Sequence, residues 1–305
     1  MDILKLDKVS KRFGDTEVIK NLSFTVSEHT VFGFIGKNGA GKTTTMKMIL
    51  GFLKSEAGEI RVYGETVKYG NTKTNRYIGY LPDVPEFYGY MNSMEYLKLC
   101  GEITGVKKDV LQQRAKELLS LVGLDGNQKR IRGFSRGMKQ RLGIAQAMLN
   151  EPKLLICDEP TSALDPVGRK EILDILSLAK ERTTIVFSTH ILSDVERICD
   201  SIGILDQGKL ILQGGVDEIR NKYRTDKVRI ELGNAAEIGK LEKGLLMLPF
   251  VKNTCITGHT LETELTNVQE HGSHILAFLV KEGIPVVRYE ILEPTLENVF
   301  LEVIG

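Results

Sequence analysis

Long apolar runs are missing from this sequence. The longest, LLMLPFV at 245–251 and ILAFLV at 275–280, fall far short of the ~20 residues that span a bilayer. Any role at a membrane must therefore pass through a partner. The opening MDILKLDKVS interleaves acids and bases, which is not the pattern of a signal peptide. Charge imbalance is missing too. Lys and Arg number 41 against 40 Asp and Glu, a net charge of +1, so no bulk field recruits nucleic acid or anionic lipid. Cysteine is sparse: Cys100, Cys157, Cys199 and Cys255 are scattered with no CxxC pair, and read as reduced, small apolar residues. No internal repeat and no low-complexity linker interrupts the chain.

What is present is ordinary for a folded protein. The 305 residues are 42% hydrophobic and 27% charged, which suits about two domains and excludes wholesale disorder. Residues 1–30 alternate polar and apolar, as antiparallel strands do, with a hairpin near Gly14-Asp15. VFGFIG at 31–36 is a short buried strand, and a helix is expected over Lys42–Leu53. EIRVYGE, opening at Gly58-Glu59, is another strand. Residues 93–122 switch to apolar spacings of three and four, the mark of amphipathic helices, with Ser93 as the expected N-cap of the first. KLLICDEP at 153–160 and TTIVFSTH at 183–190 are apolar strands, the second preceded by a helix over 167–180. Buried strands alternating with helices predict a parallel-containing α/β sheet. Beyond residue 220, KVRIELG and TLETELT alternate cleanly, VQEHGSHILAFLVKEG is helical, and PVVRYEILEP is a strand. TLENVFLEVI closes as a short helix. The chain thus divides into 1–220 and a small α+β domain at 221–305.

Three segments carry chemistry. Gly36-Lys37-Asn38-Gly39-Ala40-Gly41-Lys42-Thr43 fits GxxxxGK[ST] between a strand and a helix. Glycines let backbone N–H groups turn inward around phosphate oxygens, and the helix N-terminus adds positive potential. Lys42 would reach the β and γ phosphates of a nucleotide. The Thr43 hydroxyl would ligate Mg²⁺, and Thr44 would touch the α phosphate. The strand Leu154–Cys157 then delivers Asp158 and Glu159. Adjacent acids after an apolar strand are most often a solvated strand end. With the phosphate loop before them and His190 after, Asp158 suits a hold on Mg²⁺ through water and Glu159 suits a general base. His190 ends its strand, where a histidine is more often structural. Here a neutral imidazole would bond the γ phosphate and orient water.

A fourth segment, Phe134-Ser135-Arg136-Gly137-Met138-Lys139-Gln140-Arg141, resembles the LSGGQ signature of ABC transporter nucleotide-binding subunits. DEPTSALD at 158–165 is similar to that family's Walker B motif and D-loop. The likeness covers roughly residues 1–220, with the motifs in family order. It implies a P-loop ABC ATPase cassette: an antiparallel β subdomain, a mixed α/β core sheet and a helical subdomain over about 85–150. It further implies ATP and Mg²⁺ as ligands, and two cassettes packed head to tail, alike or different. Each ATP would lie between one chain's phosphate loop and the other's Ser135 and Gly137. Asp165 would sit at the dimer seam. Phe13 matches the aromatic that stacks on adenine, although a strand aromatic can equally serve a core. The implied setting is the cytoplasmic face of the membrane, held there by a transmembrane permease, with no nucleic-acid partner.

Departures from the family pattern are few. Arg136 and Met138 stand where Gly and Gln are usual. Asp83, in GYLPDVPEFY, stands where a Gln usually touches Mg²⁺ and the attacking water. A carboxylate still binds the metal but donates no hydrogen bond unless protonated. It also brings a third acid towards Asp158 and Glu159.

The ending PTLENVFLEVIG is similar to that of cassettes serving ABC-2-type exporters. His271 and His274 lie three apart on a helix, read as a solvated face rather than a metal pair. Two other readings are a soluble cassette acting on DNA or the ribosome, and a non-hydrolytic regulatory cassette. Zinc cysteines, a second cassette and a long coiled-coil insertion would mark the first, and none is present. The intact Lys42, Asp158, Glu159 and His190 argue against the second.

Overall fold

The structure is a computed structural model that describes residues 2–71, 73–223, 226–292 and 295–304. Strands β1 (Asp2–Phe13) and β2 (Thr16–Ser27) form the expected hairpin, turning at Gly14 with φ of 55°. Strand β3 (Val31–Ile35) is buried at every position, as a strand covered on both faces must be. Helix α1 (Lys42–Ile49) follows the phosphate loop. It stops short of the expected Leu53. Gly51, at φ of 70°, lets its own N–H reach the Met48 carbonyl and that of Phe52 reach the Lys47 carbonyl, which closes the helix end. Strands β4 (Ala57–Val62) and β5 (Glu65–Thr66) return to the hairpin, giving an antiparallel sheet in the order β2-β1-β4-β5.

Strand β6 (Ile78–Leu81) leads to three helices, α2 (Ser93–Ile103), α3 (Lys108–Leu121) and α4 (Arg136–Met148). Ser93 does not cap α2. The cap is Asn92, whose side chain accepts from the Glu95 N–H, while the Glu95 carboxylate accepts from the Asn92 N–H, each at 2.9 Å. Asn92 offers a side-chain acceptor and Glu95 completes a reciprocal pair, so the register settles one residue earlier than expected. Ser93 becomes a buried first-turn residue.

The rest of the first unit alternates strand and helix: β7 (Leu154–Asp158), α5 (Pro166–Ala179), β8 (Thr184–Thr189), α6 (Leu192–Ile198), β9 (Ser201–Asp206) and β10 (Lys209–Gly215). The sheet order is β10-β9-β3-β8-β7-β6, parallel throughout except at β9–β10. This is the mixed sheet expected. Ile35 pairs with Thr189, and Asp158 with Ser188. The carboxyl ends of β3, β8 and β7 therefore open side by side, where open α/β sheets place their ligands. The antiparallel sheet packs on this one through Phe24, whose ring lies 5.4 Å from those of Phe32 and Phe34. Each such buried side chain contributes about 1.5–3 kcal/mol.

The chain forms two compact units, the second covering Asp217–Glu302. Helix α7 (Val216–Lys222) leads into β11 (Lys227–Leu232), α8 (Ile238–Leu246), β12 (Val251–Thr257), β13 (Thr260–Leu265), α9 (Val268–Lys281) and β14 (Val286–Leu292), and α10 (Leu296–Ile304) ends the chain. The strand order β12-β13-β11-β14, wholly antiparallel, makes a ferredoxin-like plait. Its core joins Val228 and Ile230 of β11 with Leu241 of α8 and Ile275 of α9. On the other face Arg229 bridges Glu262 at 2.7 Å and Glu290 at 3.9 Å, as suits a solvated surface.

Candidate active site

Residues 36–41 link β3 to α1. At Gly36 a Cβ would meet the Leu205 carbonyl oxygen at 2.5 Å, so only glycine lets the loop lie this close to β9. Gly41 has φ of 110°, a conformation that side chains rarely adopt, and it starts α1 without a side-chain cap. With no acid in the first turn, the helix presents free N–H groups and positive potential to the loop.

Lys42 is buried. Its ammonium donates to the Gly36 carbonyl at 2.6 Å and pairs with Glu159 Oε1 at 3.2 Å. Glu159 Oε2 meets His190 Nδ1 at 2.9 Å. The carboxylate is therefore bracketed by two cationic or hydrogen-bonding groups. Its Oε1 is buried and, apart from the Lys42 ion pair, takes no hydrogen bond among the described residues, so it can accept from a substrate water once the lysine turns elsewhere. Glu159 sits at φ of 49°, a strained region for a non-glycine residue, held by N–H donation to both the backbone oxygen and Oγ of Ser188 at 3.1 Å. Ser188 Oγ in turn donates to Asp158 Oδ1 at 2.5 Å. One buried serine thus fixes both acids. On β6, the Tyr80 hydroxyl is pushed up to about 12 by burial and then by Asp158, so it stays protonated.

An open cavity of about 420 Å³ results, walled by Asn38, Gly39, Gly41, Lys42, Thr43, Thr44, Asp83, Asp158 and Glu159, with Val18 on its side. Most of the expected residues are brought together here, and His190 joins through Glu159. Phe13 is not in the wall. It ends β1 half-exposed, with Lys11 Nζ 5.2 Å from its ring centroid. Ser135 caps α4 by accepting from the Met138 N–H at 3.2 Å, and a Cβ on Gly137 would touch only Leu164, at 3.9 Å; neither residue lines the cavity. Asp165 caps α5 by accepting from the Gly168 N–H at 2.8 Å.

Two participants, Ser188 and Val18, and one contact between marked residues escape a reading by motif. Ser188 left a signal, a polar residue inside an apolar strand. Val18 left none. Arg136 approaches the Asp83 carboxylate at 3.4 Å, which joins two of the family departures.

Among the described residues, no group of three or more His, Cys, Asp and Glu side chains is gathered to hold a metal alone. Thr43, Asp83 and Asp158 offer only hard oxygen atoms beside the phosphate loop. That donor set fits Mg²⁺, which keeps several waters and takes further oxygens from substrate phosphates. In the second unit His271 and His274 approach to 3.4 Å, and Phe250 stacks on His271 at 4.4 Å. The pair is thus partly packed rather than wholly solvated.

A glycine cradle, a buried lysine and a bracketed carboxylate at the carboxyl ends of neighbouring strands define a nucleotide-hydrolysing P-loop protein. Comparison with known proteins is more specific. The ABC transporter family model matches residues 19–162, and the model of the DrrA1-3-like ATP-binding protein C-terminal domain matches 214–304. The chain is 37% identical to the ABC transporter ATP-binding protein YxlF of Bacillus subtilis, over 99% of both chains. It is 35% identical to the bacitracin transport ATP-binding protein BcrA of Bacillus licheniformis, over 99% of this chain and 97% of that one. A solved ATP-binding subunit of an ABC transporter superposes with a TM-score of 0.65 at 33% identity, over 72% of this chain and 93% of that one. The chain belongs to the ATP-binding subunits of ABC transporters: it binds and hydrolyses ATP to drive a membrane transporter. The resemblance seen in the motifs is borne out. No helix among the described residues is long and apolar enough to cross a membrane.

Proposed function

We propose that this chain energises an exporter of antibiotic-type molecules, with Glu159 as the general base of ATP hydrolysis. The observation that carries the catalytic assignment is the double hold on Glu159, by Lys42 on one oxygen and His190 on the other. The N–H groups of the 38–41 loop and of the start of α1 take the β and γ phosphates. Lys42 moves its charge from Glu159 to the phosphate, since a phosphate offers several anionic oxygens and charge-assisted bonds. Glu159 Oε1 is then free to accept a proton from water. The water oxygen bonds to the γ phosphorus as the bond to the ADP oxygen breaks, leaving ADP and phosphate. His190 holds Oε2 and so fixes the direction of the lone pair that receives the proton. Thr43, Asp83 and Asp158 would hold Mg²⁺, which would supply positive charge against the phosphates.

The cavity is open on one side. A second cassette, alike or different, closes it by offering its own Ser135 and Gly137 at the N-terminus of α4. A half-exposed Phe13 ring is suited to stacking on adenine. The permease partner holds the cassette at the cytoplasmic face of the membrane. The full-length likeness to a bacitracin transport protein, C-terminal domain included, supports an antibiotic-exporting partner.

Glu159→Gln tests the assignment. The purified variant should keep ATP binding, lose turnover by about a hundredfold or more, and accumulate as the ATP-bound dimer. Turnover at the parent rate would remove Glu159 from the role.

A further inference from the structure

Asp83 alone, among the described residues, lines both the phosphate cavity and a second cavity of about 480 Å³. The second cavity is walled in part by Phe87, Arg132, Arg136 and Lys139. The segment that carries Asp83 rides on a single stripe of α4. A Cβ on Gly79 would meet the Ala147 carbonyl oxygen at 2.2 Å, and one on Gly143 would meet Leu81 at 2.5 Å and Pro85 at 3.5 Å. Further along the same stripe, Gln140 donates to the Asp83 carbonyl at 2.7 Å, and Arg136 approaches its carboxylate at 3.4 Å. Residues 136, 140, 143 and 147 recur at helical spacing, so one face of α4 makes every one of these contacts.

The two polar contacts differ in strength. Gln140 is fully buried, and removing a buried partner of this kind strands a carbonyl away from water. It fixes the backbone. Arg136 and Asp83 are both close to half-exposed, with side-chain accessibilities of 44% and 47%. An ion pair in that setting is weak and easily exchanged. The Asp83 side chain can therefore change partner while its backbone stays in place.

We propose that Arg136 is a positioning residue that parks the Asp83 carboxylate in an exchangeable ion pair where the two cavities meet, and that Mg²⁺·ATP recruits the carboxylate and frees Arg136. This rests on the reading of the phosphate cavity as the Mg²⁺·ATP site. The consequence is a charge exchange through one residue. Filling the first cavity removes an anion from the wall of the second, and leaves the Arg136 guanidinium unpaired there beside Arg132 and Lys139. The second cavity becomes more positive when nucleotide is bound. The parking also explains how three acids coexist near one another in the resting chain: one of them is neutralised by a cation that the usual signature glycine could not supply.

The test is equilibrium binding of a fluorescent ATP analogue to the full chain, titrated with Mg²⁺, which needs no turnover. Arg136→Gln should lower the Mg²⁺ concentration for half-maximal binding by about two- to fivefold, because the carboxylate no longer has a competing partner. Arg136→Lys keeps the charge and should stay near the parent value. Asp83→Asn should raise the required Mg²⁺, and in that background Arg136→Gln should change nothing. An Arg136→Gln shift of equal size with and without Asp83, no shift at all, or a shift upward would each overturn the parking. Thermal unfolding of the variants checks the fold, and Asp83→Gln serves if Asp83→Asn is unstable. A parent chain that binds Mg²⁺·ATP with an insensitive Arg136 sinks only the parking. A parent chain that binds no nucleotide removes the ATP-site reading and the parking with it.

Discussion

The Lys42 ammonium lies 3.2 Å from Glu159 Oε1, so before nucleotide arrives the proposed phosphate-binding cation and the proposed base neutralise each other. Both side chains are largely buried, with 6% and 14% accessibility. Breaking such a pair on one side leaves a poorly solvated charge. Lys42→Ala should lower the stability of the nucleotide-free chain by about 3 kcal/mol, measured by urea unfolding. Lys42→Met combined with Glu159→Gln should recover much of that loss, since neither charge remains. Equal stability of Lys42→Ala and the parent would mean that the pair contributes nothing.

Ser188 is the joint between the two acids. Ser188→Ala removes the donor to Asp158 and an acceptor for the Glu159 N–H. A hydrogen bond to a buried charged group contributes about 1.5–3 kcal/mol, and the unfolding free energy should fall by that amount. The Mg²⁺ requirement for ATP binding should rise in the same variant. A variant that loses neither would show that β7 and β8 fix the acids without it.

His190 touches Glu159 and little else of the site. His190→Ala should keep nucleotide affinity within a few-fold while turnover falls by about a hundredfold, the range of a positioned acid–base group. Separate measurements of ATP binding and single-turnover hydrolysis distinguish the two effects. Loss of both together would assign His190 to phosphate binding instead.

Helix α2 offers a comparison of neighbours. Asn92→Ala should cost about 1 kcal/mol by removing the cap acceptor. Ser93→Ala should cost little, because its buried hydroxyl has no hydrogen-bond partner among the described residues. Thermal unfolding of the pair tests which residue starts the helix, and the reverse order would restore Ser93 as the cap.

Three of the thiols should separate by environment. Burial pushes the Cys157 thiol up, and burial followed by the charge of Asp200 does the same at Cys199. The Cys199 sulfur packs where a Cβ on Gly33 would meet it at 2.9 Å. Cys255 is exposed on β12. A thiolate reagent should label Cys255 first, the partly exposed Cys199 more slowly because its thiol is pushed up, and Cys157 only on unfolding. Mass mapping of a timed reaction checks this, and early labelling of Cys157 would show that the core opens.

The sequence determined what local backbone and short-range chemistry can specify. A phosphate loop is legible because its glycines, lysine and helix start are contiguous and each has a local reason. The apolar strands ending in Asp158-Glu159 and in His190 were legible for the same reason, as was the signature segment that carries Ser135. The tertiary structure decided which strand ends became neighbours. Strands β3, β8 and β7 lie side by side out of chain order, and no periodicity encodes that order. Their register brings Ser188 onto Asp158 across 30 residues, and the packing of α4 against the segment after β6 brings Arg136 onto Asp83 across 53. It also left Phe13, Ser135 and Gly137 outside the cavity wall, although all three were marked by motif. Side-chain pairs at such separations depend on how sheets and helices stack. That stacking follows from burial summed over the whole core, whereas a motif records only what neighbouring residues require of one another.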